Sequence, residues 1–171
     1  RFQGGGNAGH TVINRYGTFA LHLLPSGIFR PGVVNILGNG VAVDPENLWS
    51  EMQGVMKQGV SLSPENLKIS DRAIICLPYH VQQDGLEEDR LGDAKYGSTR
   101  RGIAPVYGDK YLKKCIRMGD LLYPEAMKKR LRGIVEWKDL LIHDGYKADH
   151  ISYDEIISWL ETYGGQLKDH V

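Results

Sequence analysis

The chain has 171 residues, 42% of them hydrophobic and 25% charged, and its 21 basic side chains balance 21 acidic ones. That length and mixture suit one domain with its own core. Zero net charge and a pI near 7.2 give no ground for a partner that is nucleic acid or a membrane surface.

The first eleven residues, Arg1-Phe2-Gln3-Gly4-Gly5-Gly6-Asn7-Ala8-Gly9-His10-Thr11, form a glycine-rich bend with one imidazole. Residues 12–43 read as strands. Val12-Ile13 and Phe19–Leu24 flank the turn cluster Asn14-Arg15-Tyr16-Gly17, which predicts a hairpin, and Pro25-Ser26-Gly27 stops its second strand. Val33–Leu37 has the look of a buried strand, and Asn39-Gly40 turns the chain into Val41-Ala42-Val43.

The period changes at residue 44. Asp44 suits an N-cap and Pro45 a first helical position, and Leu48, Met52, Val55 and Met56 then share one face before Gly59. A second helix is predicted over Asp71–Gln83, kinked at Pro78. Residues 84–110 are polar and glycine-rich and read as a long functional loop. Pro124 opens a long helix that buries Met127, Leu131, Ile134, Val135 and Leu141. Ser152–Glu155 is a capping box for a last helix carrying Ile156, Trp159 and Leu160. The longest apolar runs, Ala73–Pro78 and Leu140–Ile142, fall far short of the roughly 20 residues of a membrane helix. No signal-peptide pattern opens the chain.

Two stretches carry candidate chemistry. In Gly4–Thr11, exposed backbone N–H groups could form an anion nest, with His10 placed to stabilise charge on a phosphoryl oxygen; a tight turn with a structural histidine would look the same. In Gly97-Ser98-Thr99-Arg100-Arg101-Gly102, small residues, two hydroxyls and two guanidinium groups suit a phosphate monoester. Lys110, Lys113, Lys114 and Arg117 would share one face if that segment is helical, and a solvated basic surface is the other reading. No Walker A pattern occurs. His22, among apolar neighbours, reads as structural. His80, His143, His150 and His170 have no carboxylate or cysteine at ligand spacing, and Glu87-Glu88-Asp89 reads as a solvated acidic loop. Trp49, Trp137 and Trp159 read as packing residues. Cys76 and Cys115 lack metal-ligand spacing and read as reduced, partly buried thiols.

Several blocks together resemble one family. They are the opening eleven residues, Leu21-His22-Leu23-Leu24-Pro25-Ser26-Gly27-Ile28, Gly38-Asn39-Gly40-Val41, Tyr79-His80, the run from Gly97 to Tyr107, Asp109-Lys110, and Arg117-Met118-Gly119-Asp120-Leu121. In this order and at about this spacing, over residues 1–121, they resemble adenylosuccinate synthetase. The resemblance implies an α/β fold of the P-loop GTP-binding type, here one partial domain over 1–171. Residues 1–43 would form its strand-rich nucleotide-site part, and 44–171 a mainly helical part with a phosphate-binding loop at 97–110.

It further implies a cytoplasmic, homodimeric ligase of purine biosynthesis that joins IMP to L-aspartate. GTP phosphorylates the purine O6, and the aspartate amine displaces that phosphate to give adenylosuccinate. Carried over, His10 is the catalytic acid. Asn7, Ala8, Gly9 and His10 line the IMP site, Thr99 holds its 5′-phosphate, and Gly9, His10 and Thr11 touch GTP. The Gly9 carbonyl would ligate Mg²⁺, and residues 11–22 match a loop that closes on ligands. Lys113 stands where the family has an arginine reaching the partner subunit's IMP, which keeps the charge and loses the bidentate fork. Ala104 replaces a glycine in the family's Gly-Ile-Gly-Pro.

The family's phosphate loop, with its aspartate base and lysine, would precede Arg1, and the guanine- and aspartate-binding segments would follow Val171. The 171 residues are therefore expected to be an internal piece without turnover of its own, and to expose apolar faces that favour dimers or aggregation. The alternative is a non-catalytic IMP-binding or protein-interaction module derived from that enzyme.

Overall fold

A computed structural model describes residues 1–171. Its centre is a small parallel sheet made of β1 (Gln3–Gly4), β5 (Gly40–Val43) and β7 (Ile74–Ile75), with β5 in the middle. A second parallel pair joins β4 (Asn35–Leu37) to β6 (Leu67–Ile69). The connections from β5 to β7 and from β4 to β6 both pass through the same helix, α1 (Pro45–Lys57). The predicted hairpin is present as β2 (His10–Asn14) and β3 (Gly17–Leu21), with Asn14 opposite Gly17. The α/β class follows from these parallel crossovers.

The start of α1 follows its residues directly. The Asp44 carboxylate accepts the Asn47 N–H at 3.1 Å, and Pro45 fills the first turn, where no N–H is needed. Leu48, Met52 and Val55 are fully shielded, and each contributes about 1.5–3 kcal/mol by burial. Gly59 follows with a φ of +84°, a conformation that favours glycine.

Four local expectations change. Val33–Leu37 is only half a buried strand: Leu37 and Asn35 are buried, whereas Val33, Val34 and Ile36 face outward. Asn39-Gly40 does not close a hairpin, because β4 and β5 belong to different sheets. No helix begins at Asp71. The apolar run after it forms β7, whose Ile74 and Ile75 are both fully buried, and Pro78 opens α2 (Pro78–Leu91) at its first turn instead of kinking it. Residues 84–110 are mostly helical: α2 runs to Leu91, and α3 covers Ile103–Tyr111. Only the stretch from Lys95 to Gly102 is an irregular loop. Asp84-Gly85, at the start of the expected loop, lies inside α2.

Helix α4 (Pro124–Asp139) passes into a widened π turn over Leu140–Gly145. The extra residue in that turn shifts the buried face, so Ile142 enters the core and Leu141 does not. Ser152 caps α5 (Tyr153–Trp159), its hydroxyl accepting the Glu155 N–H at 3.2 Å. Trp49 and Trp159 pack at the core margin, but Trp137 is 45% exposed, with the Lys114 ammonium 4.2 Å over its ring. Cys76 and Cys115 are free and buried, and desolvation pushes the Cys76 thiol well above its ordinary range. No helix is long and apolar enough to cross a membrane.

Candidate active site

Strands β1, β5 and β7 run parallel, so their carboxyl ends lie along one edge, where open α/β sheets place their ligands. The sequence delivers three distinct segments there. The glycine turn follows β1, the N-terminus of α1 follows β5, and that of α2 follows β7. Glycine is required at the first. A side chain on Gly5 would meet Ile103 Cδ1 at 2.5 Å and the Ala42 carbonyl at 3.0 Å. The Tyr107 hydroxyl pins the same turn: it accepts the Gly4 N–H at 3.1 Å and donates to the Gly40 carbonyl at 2.6 Å.

At this edge the chain encloses a cavity of about 520 Å³ lined by Asp44, Asn47, Cys76, Pro78, Arg100 and Arg101, among others. That volume suits a nucleotide-sized ligand. Gly6 faces the same Asn47 from the glycine turn, 3.9 Å from its amide nitrogen to the position of a Cβ. The two stretches singled out in the sequence therefore reach the same corner of the fold. Burial is the main influence on Asp44 and raises its pKa against the opposing bonds from Asn47.

Asn7, Ala8, Gly9 and Thr11 are exposed, and His10, the first residue of β2, is half-buried. The His10 ring makes no hydrogen bond within the chain. The Gly9 carbonyl accepts none either, and Gly9 lies against the His22 ring, 3.1 Å from Nε2 to a Cβ position. Thr99 is exposed, and neither its N–H nor its hydroxyl has an internal partner. The Arg101 guanidinium is likewise unpaired, whereas Arg100 pairs with Asp89 at 2.5 Å.

The four basic residues do not share a face. Helix α3 ends at Tyr111, and Lys113 takes a left-handed φ of +60° in the turn beyond it. Lys110 reaches the Asn39 carbonyl at 3.3 Å, Lys114 covers Trp137, and the Arg117 N–H donates to Asp120 at 2.7 Å. Glu87-Glu88-Asp89 is no solvated loop. It lies on α2, where Glu88 is buried and accepts the Tyr96 and Gly97 N–H groups. His80 does have a carboxylate, brought from α3: its Nδ1 accepts the Leu77 N–H at 2.9 Å, and its Nε2 lies 3.0 Å from Asp109 Oδ2.

Glu51 of α1 was equally hidden in the sequence. Its carboxylate accepts the N–H groups of His22, Leu23 and Leu24 and fixes the chain just after the hairpin. Arg1 braces the other side through the carbonyls of Gln3, Gly5 and His22. The sequence signal was only an acidic residue on a helix for Glu51 and one in an acidic loop for Glu88, and both settings are ordinarily solvated. No group of three histidine, cysteine, aspartate or glutamate side chains is arranged to hold a metal ion.

The family model of adenylosuccinate synthetase matches residues 1–171. The chain belongs to the adenylosuccinate synthetase family. It is 47% identical to the adenylosuccinate synthetase of Dehalococcoides mccartyi over all 171 residues, 40% of that protein. It is 48% identical to adenylosuccinate synthetase 2 of Pseudoalteromonas translucida over 162 residues, covering 94% of this chain and 38% of that protein. The solved structure of fully ligated adenylosuccinate synthetase from Plasmodium falciparum superposes with a TM-score of 0.85 at 29% identity, covering 99% of this chain and 39% of that one. The chain thus spans about 40% of the length of the curated relatives it matches. Adenylosuccinate synthetases are ligases of purine biosynthesis, and the α/β architecture agrees with the family.

Proposed function

We propose that these residues form the IMP-facing wall of an adenylosuccinate synthetase, which joins IMP to L-aspartate at the expense of GTP by way of 6-phosphoryl-IMP. The observation that carries this reading is the cavity at the carboxyl edge of a parallel sheet: Arg100 and Arg101 of the polar loop line it, and the glycine turn borders it where Gly6 approaches the lining residue Asn47. Phosphoryl transfer asks a protein mainly for positioning and for charge stabilisation. Thr99, with free donors, would hold the 5′-phosphate. Asn7, Ala8 and Gly9 would border the purine with His10, and Gly9, His10 and Thr11 would meet GTP. His10 would donate to the oxygen that gains charge as the phosphoryl group moves.

Mg²⁺ takes few protein ligands and draws the rest from phosphates and water. The free Gly9 carbonyl fits one such position, and bound Mg²⁺ would supply charge neutralisation at the phosphates. A homodimer follows from the same reading: Lys113 stands exposed beside Tyr111 and Leu112, which are 79% and 62% exposed, and could reach a second copy's site. The setting would be the cytoplasm.

Calorimetric titration tests this reading. IMP should bind the 171-residue chain, Thr99→Ala should weaken it about tenfold through a lost charge-assisted hydrogen bond, and the chain alone should form no adenylosuccinate. IMP binding indifferent to Thr99→Ala, or turnover at an ordinary rate by these residues alone, would overturn it.

A further inference from the structure

The loop that carries Thr99 has almost no hydrophobic anchor: Tyr96, Gly97, Thr99, Arg100 and Arg101 are all exposed. What fixes it lies beneath. Asp84 and Glu88 stand one turn apart on the same face of α2, and both are buried, at 6% and 4% exposure. Glu88 accepts the Tyr96 N–H at 3.1 Å and the Gly97 N–H at 3.0 Å. Asp84 accepts the Ser98 hydroxyl at 2.7 Å and the Gly102 N–H at 2.9 Å. The two carboxylates therefore grip the loop at both ends, and every oxygen has a donor.

The grip extends to the apex. Ser98 Oγ, while donating to Asp84, accepts the Arg100 N–H at 3.1 Å. That bond closes a bend over Ser98-Thr99-Arg100 and holds Arg100 at a φ of +54°, which a non-glycine residue adopts only under constraint. Thr99 is the middle residue of this bend, and the bend leaves both of its donors unspent.

The geometry points to Asp84 and Glu88 as positioning residues for phosphate recognition, setting the Thr99 loop in its binding conformation before the ligand arrives. This rests on the reading that Thr99 holds the IMP phosphate. It is also counter-intuitive in charge, since two carboxylates lie under an anion site. Four donors absorb that charge, and a preformed loop spares the ligand the entropy of ordering it.

The charge paradox makes the test sharp. Asp84→Asn and Glu88→Gln each remove a negative charge near the phosphate, so a purely electrostatic role predicts tighter IMP binding. Positioning predicts the reverse, because an amide offers one acceptor oxygen where two bonds are needed. Titrating IMP and inosine into the 171-residue chain, its two variants and Thr99→Ala separates the cases. The expected result is IMP weakened about tenfold in each carboxylate variant, the worth of one charge-assisted hydrogen bond, with inosine affinity unchanged.

Unchanged or tighter IMP binding, or an equal loss for inosine, overturns the positioning role while leaving the Thr99 site standing. Absent IMP binding, or binding that Thr99→Ala does not weaken, overturns the site itself and this role with it. Should a buried variant fail to fold, Ser98→Ala cuts the same link from the loop side without touching α2. It should weaken IMP about tenfold by loss of the same charge-assisted hydrogen bond to the Asp84 carboxylate, and no loss there refutes the link.

Discussion

Removing the Lys138 ammonium should destabilise the fold sharply, because it strands a buried carboxylate. Lys138 of α4 is only 2% exposed, and its Nζ lies 2.7 Å and 2.9 Å from the two oxygens of Asp109 on α3 and 2.8 Å from Gln83 Oε1 on α2. Asp109 also faces the Nε2 of fully buried His80 at 3.0 Å. One cluster thus ties three helices together. Desolvation acts most strongly on Asp109 and pushes its pKa up, but the bonds from His80 and Lys138 outweigh it, and the net shift is downward.

Lys138→Met keeps the length of the side chain and deletes the charge. Breaking a buried pair from one side costs about 3–5 kcal/mol. At about 2–4 °C per kcal/mol for a domain of this size, Tm should fall by roughly 6–20 °C. The double variant Asp109→Asn/Lys138→Met leaves an amide oxygen for His80 and should recover at least half of the loss. Thermal unfolding followed by circular dichroism measures both. A Lys138→Met protein as stable as the native chain, or a double variant worse than the sum of the singles, would refute the cluster as a stabilising unit.

Three further outcomes follow from named contacts. Desolvation lowers the pKa of His80, so the unfolded chain binds the proton more readily; stability should be complete above the ordinary histidine range and decline as pH falls below about 6.5. Urea midpoints between pH 5 and 8 read this, and a His80→Gln chain should lose most of the slope. Glu51→Ala leaves three backbone N–H groups without their acceptor beside a side chain that is only 11% exposed, and should cost about 3 kcal/mol, with the loss visible as faster amide exchange at His22, Leu23 and Leu24. Gly102→Ala forces a φ of +73° on alanine and sets its Cβ 2.8 Å from the backbone of His80 and Val81; it should lower Tm by several degrees, and an unchanged Tm would contradict the close approach.

Much of the local structure was legible in the sequence because it depends on neighbours along the chain. The Asp44-Pro45 start of α1, the Ser152 cap of α5 and the two-residue hairpin turn each need only residues within one turn, and all three are present. The family was legible too, since the resemblance rests on short contiguous blocks such as Gly4–Thr11 and Gly97–Tyr107. Sequence could not say which apolar runs pair with which. The stretch Ala73–Leu77 could serve as helix or strand, and its fate as β7 rests on partners supplied by β5, some thirty residues earlier. The burial of polar residues was hidden for the same reason. Asp84, Glu88, Asp109 and Lys138 look like ordinary solvated charges in one dimension. Only the packing of α2, α3 and α4, together with the loop they carry, withdraws those groups from water, and a charge so withdrawn must find a partner.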